Sequence, residues 1–121
     1  MEEYKKLVSG LLKSGEDIIH AMSPEDANLW HLATGVAGEG GELLDAVKRK
    51  AVYQKPLDIE NVIEELGDLE FYMEGLRAAL GITREQVLKA NMNKLNKRYH
   101  TGKYSDAQAQ DRADKKVPNT V

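Results

Sequence analysis

A glutamate sits on a line where the longest amphipathic stretch of this chain should be apolar. Leu29, Leu32, Val36, Leu43 and Ala46 recur at helical spacing, and Glu39 falls on the same inward line between Val36 and Leu43. A carboxylate there is costly unless a cation neutralises it. Glu42 follows three residues later, on nearly the same face. A second stretch repeats the arrangement: Ile59, Val62, Leu66, Leu69, Met73, Leu76 and Leu80 make an apolar stripe. Glu65, Asp68 and Tyr72 run about 100° to one side of it, at the edge of a core where a cleft can open. Each acidic pair offers two carboxylates to one point, and four converging carboxylates describe a metal site. The chain must therefore fold helix against helix so that the two pairs meet.

Helix start and stop signals divide the chain accordingly. Tyr4, Val8, Leu11, Leu12, Ile18, Ile19 and Met22 predict a first amphipathic helix over residues 2–22. Ser23-Pro24-Glu25-Asp26 combines a capping serine, proline at the first helical position and an acid three on, opening a second helix to about Tyr53. Asp58 is the expected cap of a third helix ending before Gly81. Thr83-Arg84-Glu85-Gln86 opens a fourth, to about Tyr99, with Leu88, Met92, Leu95 and Tyr99 as its expected core face. Short connections favour antiparallel neighbours, so the second and third helices can face each other. From His100 the chain reads as a polar, extended tail, with a mobile end over residues 117–121. The expected fold is all-α, an antiparallel arrangement like a four-helix bundle, forming a single domain over residues 1–116. No strand period and no internal repeat is visible.

Composition narrows the chemistry. With 121 residues and no cysteine, the chain excludes disulfides, zinc-thiolate sites and thiol nucleophiles. Its N-terminal residues lack the order of a signal peptide, and no apolar run reaches spanning length, so a cytosolic protein is expected, away from the membrane. The aromatics do not interleave with basic residues as a nucleic-acid surface would, so no nucleic-acid partner is expected. The net charge of −3 hides an asymmetry: residues 1–83 hold 16 acidic against 8 basic side chains, whereas residues 84–121 hold 4 against 9. An acidic centre with a basic flank suits a metal-bound polyanion.

Further constellations are weaker. Gly35, Gly38, Gly40 and Gly41 crowd the second helix without the following Gly-Lys-Ser/Thr of a phosphate loop, and close helix crossing is the better reading. Asn91, Lys94 and Arg98 line the fourth helix, where an amide and two cations suit phosphate oxygens and equally suit a solvated face. Trp30 and His31 precede the first acidic pair by two turns. The Glu-x-x-His pair of di-iron carboxylate bundles is absent beside the acidic motifs, which argues against a redox metal.

Taken together, Gly38-Glu39-x-x-Glu42-Leu43-Leu44-Asp45-Ala46-Val47-Lys48 followed by Glu64-Glu65-Leu66-Gly67-Asp68 resembles the MazG-type all-α nucleoside triphosphate pyrophosphohydrolases. The resemblance runs from about Leu29 to Arg112 and includes the Lys-Leu-x-x-Arg-Tyr run ending at Tyr99. It implies that Glu39, Glu42, Glu65 and Asp68 hold magnesium, or manganese, against a triphosphate. It further implies that Tyr72, Asn91, Lys94 and Arg98 contact phosphate, that His31 lies near the nucleoside, and that Lys48 belongs to the substrate-binding set. Water activated by the metal, with Glu39 or Glu42 taking its proton, would attack the α-phosphorus and release pyrophosphate and a nucleoside monophosphate. The resemblance also implies a homo-oligomer, dimer or tetramer. Alternatives stay open: a deoxyuridine or deoxycytidine triphosphate specialist, a phosphoribosyl-ATP pyrophosphohydrolase, or a non-catalytic nucleotide-binding adaptor bundle.

Overall fold

A computed structural model describes residues 1–117 and is all-α. Its elements are α1 (Glu2–Leu11), α2 (Gly15–Ala21), α3 (Pro24–Ala51), α4 (Ile59–Leu80), α5 (Arg84–Arg98), α6 (Asp106–Asp111) and a closing 3-10 turn, Ala113–Lys115. The chain divides into two compact units, Met1–Leu76 and Arg77–Val121.

In the first unit, the single helix expected over residues 2–22 is two. Leu12 turns extended, and Ser14 caps a new helix by accepting the Asp17 N–H at 3.0 Å. Ser14 with Asp17 three residues on is a start signal of the same kind as Ser23 with Asp26, and it overrides the apolar periodicity that runs through it. The Ser23 capping box forms in full: Asp26 N–H donates to Ser23 Oγ and Ser23 N–H to Asp26 Oδ2, both at 3.1 Å. Helix α3 then runs 28 residues, about eight turns, and its last turn carries Lys48, Arg49 and Lys50, whose charges complement its carboxyl end. Gln54, with φ of 54°, takes the left-handed turn beyond it. Asp58 accepts the Asn61 N–H at 3.0 Å and starts α4.

Helices α3 and α4 run antiparallel, and two glycines set how closely. The Tyr72 ring lies over Gly35, where a Cβ would collide with it, and a Cβ on Gly75 would stand 2.8 Å from Leu32 Cδ2. These notches turn α4 relative to the orientation its apolar content suggests. The half-buried residues of α3 are the expected stripe, Leu29, Leu32, Val36, Glu39 and Leu43, together with Gly35 and Gly40, and Ala46 is buried. On α4 the seam instead follows Val62, Glu65, Leu69, Tyr72 and Leu76. Glu65 and Tyr72 lie in the seam, not beside it, while Ile59 and Leu66 of the expected stripe face outward, Leu66 being 48% exposed. Of the four α3 glycines, Gly35 alone serves close packing among the described residues, where a Cβ at Gly38, Gly40 or Gly41 would meet no atom within 4 Å.

In the second unit, Thr83 and Gln86 form the expected reciprocal cap of α5, at 3.1 and 2.8 Å. The polar stretch beyond His100 is not an extended tail. Gly102, with φ of 73°, and the Ser105 cap, which accepts the Gln108 N–H at 3.2 Å, turn it into α6. Arg98 then anchors the chain end to α5 through a two-pronged contact to Asp114, Nε to Oδ1 at 2.7 Å and Nη2 to Oδ2 at 3.2 Å. Leu88, Met92 and Leu95 of the expected core face are exposed, and only Tyr99 is half-buried. The contacts of α5 in this unit are made from its other end, to α6 and the 3-10 turn. Of the expected mobile end, all but Val117 lies outside the described residues.

Candidate active site

The α3–α4 seam brings carboxylates together at its middle. One oxygen each from Glu39, Glu65 and Asp68 lies within 4.8 Å of the other two. Antiparallel packing with Tyr72 seated over Gly35 puts Glu39, one turn past Gly35, level with residues one and two turns before Tyr72. Glu39 and Glu65 are half-buried, and Asp68 is exposed at the rim. Burial pushes the Glu65 carboxyl above its usual 4.5, helped by a hydrogen bond from Glu39 and by the negative charges of Glu39, Glu42 and Asp68. A site that raises a carboxyl in this way favours a cation in its place.

Glu42 stands apart from the three-oxygen cluster and reaches it through a neighbouring cleft of about 290 Å³. Glu42 and Glu65 line that cleft with Asp45, Asp58 and Glu64, and its cation is Arg49, paired with Asp45 at 2.8 Å. Three of the four predicted ligands therefore converge and the fourth is next to them. None of Asp45, Asp58 and Glu64 is among the expected ligands, although Asp45 and Glu64 stand inside the two acidic motifs and Asp58 is the expected cap of α4.

The other predicted site residues are distributed differently. His31, exposed on α3 two turns before Glu39, meets the seam residue Tyr72 edge to face, with centroids 6.1 Å apart. Lys48 lies near the end of α3 with its Nζ 5.5 Å from the Tyr53 ring centroid. Asn91 and Lys94 are exposed on α5. Arg98 is engaged by Asp114, their side chains being 19% and 3% exposed. That contact raises the arginine further and holds the Asp114 carboxyl below its usual 3.8. Asp114 lies sixteen residues from its partner, and no spacing rule could have found it.

The donor set is all oxygen and all anionic, which suits a hard divalent cation and not a thiophilic one. Fold and site together define an all-α protein with a carboxylate centre built across an antiparallel helix pair. The MazG nucleotide pyrophosphohydrolase domain matches residues 29–102, and the chain belongs to that family. It carries a nucleotide pyrophosphohydrolase domain, and the matched span holds Glu39, Glu65 and Asp68 of the cluster just described. No curated protein and no solved structure matches the chain. Among the described residues, no helix is long and apolar enough to cross a membrane.

Proposed function

We propose that the protein is a magnesium-dependent nucleoside triphosphate pyrophosphohydrolase that cleaves between the α- and β-phosphates, releasing a nucleoside monophosphate and pyrophosphate. The observation that carries this reading is the approach of Glu39, Glu65 and Asp68 to within 4.8 Å on a pyrophosphohydrolase domain. These three carboxylates, with Glu42 from the adjoining cleft, would hold the ion, and manganese would satisfy the same oxygens. Bound there, a divalent ion supplies charge neutralisation for the phosphates and acidifies water.

The chain's own residues do the rest. Glu42 lies beside the cluster without belonging to it, which leaves its carboxylate oxygen available to accept the proton of the attacking water, with Glu39 as the other candidate base. The Tyr72 ring meets His31 edge to face, and we assign His31 to the nucleoside and Tyr72 to phosphate. Lys48, Asn91, Lys94 and Arg98 are assigned to phosphate oxygens on side-chain chemistry, Arg98 only after exchange of Asp114 for the anion. A homo-oligomer, dimer or tetramer, is part of the proposal. Among the described residues Ala46 is the sole buried hydrophobic, so further copies complete the core.

The test is product analysis with deoxynucleoside triphosphates and magnesium. Monophosphate and pyrophosphate should appear together in one step. Diphosphate and orthophosphate as primary products would overturn the reading, and tight nucleotide binding without turnover would favour an adaptor.

A further inference from the structure

The second unit carries cations along α5 and anions on the segment that follows it. Arg84, Lys89, Lys94, Lys97 and Arg98 belong to α5, whose acid is Glu85 in the first turn. Beyond His100 stand Asp106, Asp111 and Asp114, and each is engaged. Asp106 accepts the Tyr104 hydroxyl at 2.7 Å, Asp111 pairs with Lys116 at 2.6 Å, and Asp114 takes Arg98. The first two contacts stay inside the segment, whereas Asp114 crosses back to α5.

That crossing holds a segment with little else to fasten it. Its large apolar side chains are exposed, Tyr104 at 72% and Val117 at 84%, and its half-buried apolar residues are Ala109 and Ala113. Helix α6 has six residues, too few to persist without packing. Arg112 takes a left-handed backbone, φ 49° and ψ 52°, to turn α6 into the 3-10 turn that presents Asp114, a conformation unfavourable to any residue with a Cβ. Gln108 Oε1 is buried with no hydrogen-bond partner among the described residues, a further cost of the docked state. The two-pronged Arg98–Asp114 contact offsets these costs.

A carboxylate offers a guanidinium the same pair of oxygens that a phosphate does. The Arg98 side chain is 19% exposed, so a phosphate that reaches it meets a fork already filled. Asp114, at 3% exposed, cannot lose its cation and stay in place, because a buried carboxylate without a partner must reach water. We propose that Asp114 is an internal competitor for Arg98: polyphosphate bound at Arg98 releases residues 106–116 from α5, and the docked segment weakens polyphosphate binding. The proposal rests on the assignment of Arg98 to phosphate in the proposed function and adds the regulation of that contact. Linkage makes the two effects one, since the affinity lost to the docked segment is set by how firmly it docks.

The test uses the full chain with magnesium tripolyphosphate, which offers the phosphate chain without a base. In wild type, the amides of residues 106–116 should exchange faster when it is bound. By calorimetry, Asp114→Asn should bind it more tightly, by about fivefold or more, and the gain should vanish when Arg98→Ala is added. Weaker binding by Asp114→Asn would make the carboxylate a brace for Arg98, and unchanged binding would leave a structural pair. Either overturns the proposal, as do amides that slow or hold their rate. Should Asp114→Asn fail to fold, the exchange measurement on wild type decides. Pyrophosphate release from deoxynucleoside triphosphates is scored on the same wild type. Turnover with unchanged amides at residues 106–116 overturns the competition alone, whereas absence of both turnover and tripolyphosphate binding overturns the proposed function and the competition with it.

Discussion

The ring of Tyr72 occupies the space that any side chain on Gly35 would need. The contact fixes the closeness and register of α3 and α4, and so the approach of Glu39 to Glu65. Gly35→Ala gains up to about 1 kcal/mol of helix propensity but must move a ring held near its backbone, an overpacking cost of about 1–3 kcal/mol. A net loss of stability with weakened magnesium binding is expected in urea melts with and without the ion. Gly38→Ala, with open space around it, should instead stabilise by up to about 1 kcal/mol.

Glu65 should give the metal-free protein an unusual pH response. Its carboxyl is held above 4.5 in the folded state, so the folded chain binds that proton more tightly than the unfolded chain. The stability this group contributes is full below 4.5 and is lost as pH rises through the folded value. Melting temperatures in chelator should fall over that interval, and Glu65→Gln should flatten the fall. Magnesium near neutral pH should raise the melting temperature of wild type and not of Glu65→Gln.

Glu42 and Asp68 should separate when magnesium is varied. If Glu42 takes the proton from water, Glu42→Gln lowers turnover by about 10²–10⁴-fold, and extra magnesium does not restore it. Asp68→Asn should weaken metal binding by about 10–100-fold, by analogy with the loss of a ligand-supporting group, with partial recovery at high magnesium. Steady-state kinetics over a magnesium series distinguishes the two, and identical behaviour would contradict the division of roles.

Arg98 and Asp114 can be told apart by paired variants. The Asp114 carboxyl lies below 3.8 in the folded state, so its contribution is present above 3.8 and is lost as pH falls through the folded value. Asp114→Asn and Arg98→Ala should both lower the melting temperature near neutral pH. If Arg98 also holds phosphate, Arg98→Ala alone should lose kcat/KM, on the order of a hundredfold. Equal melts with unchanged kinetics would leave Arg98 a purely structural residue.

Most of the helix plan was legible because capping boxes are local: Ser23 with Asp26, Asp58 with Asn61 and Thr83 with Gln86 all form as the sequence indicates. The break at Leu12–Ser14 was equally local, but it lay under a strong apolar period. The acidic pairs could be found by spacing, and the meeting of Glu39 with Glu65 and Asp68 followed from antiparallel neighbours. The orientation of α4 could not be found that way. It depends on Tyr72 seating over a glycine 37 residues earlier, and hydropathy alone favours turning Leu66 inward. Arg98 with Asp114 and the turning of the chain beyond His100 into α6 are likewise matters of tertiary contact, which a polar composition does not reveal.

The open glycines of α3 bear on how firmly the centre is held. Gly38, Gly40 and Gly41 sit in one turn, each weakening an isolated helix by about 1 kcal/mol, and among the described residues no neighbour compensates them. That turn carries Glu39 and borders Glu42. Its backbone amides should exchange with solvent ahead of those of the flanking turns, through local fraying that leaves the rest of the helix intact. The order of that turn would then set the carboxylates' readiness for metal without any residue touching them.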